Sequence, residues 1–75
     1  MNFSSDTLSK FREILNMQPG DKLTFPFGEI YCHLGENGRY IEIYATDDEL
    51  KAKLQVSVYD DEYELGFDIC DLIFA

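Results

Sequence analysis

The stretch LQVSVYDDEYELGFDICDLIFA, residues 54–75, decides how the chain is read: it holds Asp60, Asp61, Glu62, Glu64, Asp68 and Asp71 and no Lys or Arg. Tyr63, Leu65, Phe67 and Ile69 alternate with polar residues, which is the period of a half-buried strand. Asp60-Asp61 then reads as a hairpin turn that pairs Val58 with Tyr63, Val56 with Leu65, Leu54 with Phe67 and Ala52 with Ile69. This register collects one apolar face and leaves the carboxylates on the other, with Lys53 opposite Asp68 and Ser57 opposite Glu64. A slip of one residue would turn the whole apolar set to water. An acidic run without such alternation would instead read as a solvated tail.

Upstream lies another hairpin signal. Asn37-Gly38 between two alternating runs predicts a type I′ turn, pairing Leu34 with Ile41 and Cys32 with Ile43 on one face, and His33 with Glu42 and Tyr31 with Tyr44 on the other. Leu23, Phe25 and Phe27 also alternate, but Pro26 has no N–H to donate, so this segment reads as an edge strand that bends at Gly28. Thr46-Asp47-Asp48-Glu49 has capping-box spacing and predicts a single helical turn between the hairpins.

The N-terminus carries a different period. Leu8, Phe11, Ile14 and Leu15 form one apolar stripe, Ser4 is a good N-cap, Asp6 favours the positive helix end, and Phe3 with Leu8 has the spacing of a hydrophobic staple. A helix is predicted over residues 5–17, stopped by Gln18-Pro19-Gly20. The chain therefore reads as α+β: one N-terminal helix packed on one face of a four- to five-stranded antiparallel meander sheet, a single domain over residues 1–75.

Composition supports a folded chain with a negative field. Of 75 residues, 45% are hydrophobic and 15% aromatic, so the net charge of −9 does not signal disorder, which needs low hydrophobicity as well. The charge opposes direct binding to nucleic acid or to an anionic membrane, both of which are held by Lys and Arg. No membrane span or signal peptide is expected, and the expected location is the cytoplasm. Cys32 and Cys70 are placed on opposite sides of the sheet and expected to stay reduced.

The sheet face away from the helix is expected to display Tyr31, Tyr40, Tyr44 and Tyr59 beside the acids. Tyrosine combines large contact area with one hydrogen-bonding tip, which suits binding surfaces, although it is also simply a good strand former. Carboxylates two apart on a strand are spaced about 6.6 Å, of the order of the phosphate spacing along one nucleic-acid strand. Asp60, Asp61, Glu62, Glu64 and Asp68, with those four tyrosines, are therefore the expected partner-binding residues. The partner implied is a basic, nucleic-acid-binding protein whose groove they would occupy. The blander alternative is that the acids keep a small aromatic-rich domain soluble.

Catalysis, metals and cofactors find no footing. His33 with Glu42 begins a triad, but Ser57 would lie about 10 Å from the histidine on the predicted sheet. Cys32 and His33 are adjacent and point to opposite faces, whereas zinc needs three or four convergent ligands. The acidic runs lack the alternating loop of a calcium site. The expectation is a non-enzyme with no metal and no cofactor.

In size and charge the chain resembles small acidic inhibitors carried by phages, including anti-CRISPR and anti-restriction proteins. The likeness is one of composition, and no residue carries over from it. A rival expectation is an assembly subunit of the immunity, antitoxin or adaptor type. There the strand Leu23 to Phe27 or the apolar Leu72-Ile73-Phe74 would extend a sheet toward a partner or across a homodimer.

Overall fold

The computed structural model describes residues 3–74, with side chains through residue 72. Helix α1 (Ser5–Leu15) is followed by strands β1 (Lys22–Phe25), β2 (Gly28–Gly35), β3 (Gly38–Ala45) and β4 (Leu50–Gln55), a short 3-10 turn (Val56–Val58) and helix α2 (Glu62–Phe74). The four strands form an antiparallel meander in the order β1-β2-β3-β4, so the chain is α+β with its N-terminal helix on one face of the sheet.

Helix α1 starts as its sequence dictates. The Ser4 hydroxyl accepts from the Thr7 amide at 3.2 Å, which satisfies one of the orphan N–H groups of the first turn. Phe11 and Ile14 are buried on the apolar stripe, and Leu8 and Leu15 pack beside them. The helix ends at Leu15, two residues earlier than expected. Arg39 of β3 donates to the carbonyl oxygens of Leu15 and Met17, placing a cation on the negative helix end.

The β2–β3 hairpin keeps its predicted faces but not its predicted register. Cys32 pairs with Ile41, Ile30 with Ile43, Tyr31 with Glu42 and His33 with Tyr40, a shift of two residues from the expected pairing. Glu36-Asn37 makes the turn and Gly38 follows at φ 100°. Neither Glu36 nor Asn37 has positive φ, so this two-residue turn is not type I′, and the left-handed glycine closes it instead. Because side chains alternate with period two, a two-residue shift turns none of them over. The expected helical turn at Thr46 to Glu49 is likewise a tight loop: Asp48 sits at φ 65°, and the Ala45 amide donates to the Glu49 carbonyl at 2.9 Å.

The C-terminal hairpin does not form. The strand partners of Ala52 and Leu54 are Ile43 and Ile41 of β3, not Ile69 and Phe67, and the segment expected to return as a fifth strand is α2. Two periods compete in the same letters. Leu65 and Ile69, four apart, are each 1% exposed, whereas Tyr63 and Phe67 are 46% and 43% exposed, although the strand reading would bury all four. Capping decides between them. Asp61 Oδ1 accepts from the amides of Tyr63 and Glu64, both at 3.0 Å, and Glu64 Oε2 accepts from the Asp60 amide at 3.0 Å. The acids that resemble a hairpin turn are a helix start, held by reciprocal capping and by the positive end of the helix.

With α2 in place, both helices lie on the same sheet face. Phe11, Ile14, Leu65 and Ile69 share one core with Ile30, Cys32, Ile41, Ile43 and Val56. One 11-residue helix leaves part of a four-stranded sheet uncovered, and α2 fills that place. The opposite face of the sheet is left open.

Candidate functional site

The open face is a chequerboard of rings and charges. Across β2 and β3, Glu29 stands opposite Tyr44, Tyr31 opposite Glu42, and His33 opposite Tyr40. The outer strands add Lys22 beside Tyr31, Lys53 beside Glu42 and Gln55 beside Tyr40. Each of these residues alternates with a core residue, which is why the sheet brings them together. The rings of Tyr31 and Tyr44 meet at 89° with centroids 5.6 Å apart. Around them Glu29, His33, Glu42 and Asp48 complete a depression of about 360 Å³.

Hydrogen bonds fix these groups. The Tyr31 hydroxyl donates to Glu29 Oε2 at 2.8 Å, and Lys22 Nζ lies 3.1 Å from the same oxygen. That hydrogen bond, with the lysine, holds the Glu29 carboxyl below its ordinary value, and the same hydrogen bond lifts the Tyr31 phenol. Burial and then the charge of Glu42 raise the Tyr44 phenol. His33 Nε2 is 2.6 Å from Glu42 Oε1, and Lys53 Nζ lies 4.9 Å from the centre of the Tyr40 ring.

The nine residues expected to bind a partner fall into two groups on opposite layers. Tyr31, Tyr40 and Tyr44 are on the open sheet face. Asp60, Asp61, Glu62, Glu64 and Asp68 belong to α2 and the loop before it, and Tyr59 goes with them. The expected ladder of acids beside tyrosines on one sheet is therefore replaced by two separate surfaces. Several of the acids also have local duties. Asp61 and Glu64 cap the helix, Glu62 takes the Arg12 guanidinium at 2.8 Å, and Asp68 accepts from the Tyr59 hydroxyl at 2.8 Å. Burial, then the Asp68 hydrogen bond, pushes the Tyr59 phenol up to about 12.

What α2 leaves outside is an acidic and aromatic stripe. Glu64, Asp68 and Asp71 are exposed with Tyr63 and Phe67. From Glu64 to Asp68 the helix rises about 6 Å and from Asp68 to Asp71 about 4.5 Å, so a row of carboxylates at phosphate-like intervals persists on a helix instead of a strand. Sequence reasoning passed over Glu29 and Asp48 as neighbours of the tyrosines. The spacing Glu29-x-Tyr31-x-His33 carried the first signal, while Asp48 arrives through a loop with no periodic signature.

The chemistry open to these groups is narrow. Ser57, once placed on the open face, sits in the 3-10 turn beside Asn16, Arg39 and Tyr59, so it brings no hydroxyl to His33. Cys32 is 1% exposed, donates to the Met17 carbonyl at 3.6 Å, and burial raises its thiol as it does that of Cys70, which disfavours the nucleophilic thiolate. Among the described residues no group of three or more His, Cys, Asp or Glu is arranged to hold a metal, and no helix is long and apolar enough to cross a membrane. Compared with protein-family models, curated proteins and solved structures, the chain matches none of them.

Proposed function

We propose that the protein is a non-enzymatic binding protein that masks a basic surface, of the kind that holds nucleic acid, on another protein, with α2 and its leading loop as the contact. The observation that carries this reading is the charge of one short rigid element. Six carboxylates lie between Asp60 and Asp71 without a Lys or Arg among them, and among the described residues only Arg12 pairs with any of them. A rigid single-sign surface steers a basic partner over a distance and pre-orders the contact. Tyr63 and Phe67, exposed beside Glu64 and Asp68, add apolar area that survives screening.

Assembly through a strand edge is the weaker reading. Strand β1 has four residues and runs into Pro26, and β4 carries Lys51 and Lys53, features that discourage edge pairing. Salt separates the two readings. The immobilised protein is exposed to a host lysate at about 0.1 M salt and eluted at about 1 M, which shortens the screening length from about 10 Å to about 3 Å. The expected eluate is enriched in basic, nucleic-acid-binding proteins. Retention of the same partners at high salt would overturn electrostatic masking.

A further inference from the structure

The open sheet face, on the far side of the molecule from α2, carries a second recognition chemistry. Tyr31 and Tyr44 wall two sides of the depression at right angles, and Glu42 and Asp48 stand beside them. The same face already holds ammonium groups of the chain's own by these means. Lys22 lies 5.9 Å from the centre of the Tyr31 ring while paired with Glu29, and Lys53 lies 4.9 Å from that of Tyr40. Over Tyr44, among the described residues, no Lys or Arg is so placed, and Asp48 makes no ion pair.

We propose that the corner between Tyr31 and Tyr44 binds an organic cation, an alkylammonium or guanidinium head group, with Glu42 and Asp48 as its counter-charges. Ring faces carry the negative lobe of the aromatic quadrupole, so two of them at a right angle attract a diffuse cation from two sides. The carboxylates reject an anion, and a neutral apolar ligand would strip water from them without replacing it. A depression of about 360 Å³ suits a small head group, at the low end of the range for ligand sites. Asp48 lines the same depression as both rings. The inference does not depend on α2.

The test is an NMR titration with choline and with agmatine at fixed ionic strength, using sodium chloride as the matched control. Saturable shifts are expected at the ring protons of Tyr31 and Tyr44 and at amides of β2 and β3 with both cations and not with sodium. Tyr44→Leu should weaken binding by about threefold or more, and Glu42→Gln with Asp48→Asn should weaken it while far-UV circular dichroism stays unchanged. A neutral peptide with one arginine identifies the source. Binding about tenfold tighter than agmatine, a gain from added contacts, assigns the site to a partner's side chain, and equal binding assigns it to a free small cation; either supports the site. Absence of saturable shifts, or shifts reproduced by sodium chloride, would overturn it. So would a hexalysine peptide that moves α2 amides alone, an outcome that leaves the function proposed for α2 standing.

Discussion

Gly66 of α2 lies against the ring of Phe11 of α1, so close that a Cβ at position 66 would come within 2.6 Å of two ring atoms. This is where the two helices approach each other over the sheet, and two effects of substitution oppose. Replacing a helical glycine by alanine gains about 1 kcal/mol of helix propensity, whereas overpacking a filled core costs about 1 to 3 kcal/mol. Gly66→Ala should therefore be close to neutral or mildly destabilising. Gly66→Val, bulkier and a poorer helix former, should be clearly destabilising. Thermal unfolding of both variants checks the order, and Phe11→Leu should recover part of the valine loss by giving the added methyls room.

Asp61 tests the element that the alternation hid. Its carboxylate takes the amides of Tyr63 and Glu64, so Asp61→Ala should cost about 1 kcal/mol and Asp61→Asn much less, since asparagine keeps the accepting oxygen. Urea unfolding measures both. Equal losses would mean that the charge toward the helix end matters more than the cap.

The helix α1, the α+β class and the faces of Ile30 to His33 and of Tyr40 to Tyr44 were legible because each rests on a single dominant period or cap, whereas Leu34, read as an inward residue, is 70% exposed. The rest failed where two local rules met. In the hairpin, Asn37-Gly38 fits two turn geometries whose registers differ by two residues, and alternation cannot separate them because both keep Cys32 and Ile41 inward. At the C-terminus, Asp61-Glu62-Tyr63-Glu64 carried a capping signature, and Leu65 with Ile69 carried helical spacing. The alternation of Tyr63, Leu65, Phe67 and Ile69 masked both. The tyrosines of the open face were readable from β2 and β3 alone, but their separation from the acids was not. It depends on which side of the sheet receives residues 62–74.

Tyr59 sets an alkaline limit. Its phenol is held at about 12 by burial and by Asp68, above the ordinary value of 10.0. The folded state thus favours the neutral phenol. That contribution is complete below the unfolded value and is lost as pH rises toward the folded one, because the unfolded chain releases its proton first. Stability should therefore fall between pH 10.0 and about 12, and Tyr59→Phe should flatten that fall. In absorbance titration, the difference between wild type and Tyr59→Phe should rise near the upper value. A rise near the lower one would show that neither the burial of the phenol nor its Asp68 contact holds in solution.

His33 is paired with Glu42 on a half-open face, with its own side chain 43% exposed. Such a pair contributes at most about 1 kcal/mol. His33→Ala should accordingly change stability little and leave partner binding through α2 intact. Complete loss of biological activity with an unchanged fold would instead give the histidine a direct part in contact or catalysis.

The acidic stripe of α2 can be neutralised without dismantling its helix. Asp60→Asn, Glu64→Gln, Asp68→Asn and Asp71→Asn together remove four charges from a net −9 and retain oxygens that can accept from the Asp60 amide and the Tyr59 hydroxyl. Asp61 and Glu62 are left alone, because one caps the helix and the other holds Arg12. Stability should move by no more than about 1 kcal/mol, since relief of self-repulsion offsets a weaker interaction with the helix end. Affinity for a basic partner should fall well over tenfold, as hydrogen bonds to charged groups are worth about 1.5 to 3 kcal/mol each. Immobilised poly-lysine gives a first measurement at low salt. Net charge alone would also weaken binding, so the control removes four acids elsewhere: Asp21→Asn, Glu36→Gln, Asp47→Asn and Glu49→Gln. That set should weaken the natural partner's binding far less. If both sets weaken it equally, the attraction belongs to the whole molecule's field, and α2 is not the contact.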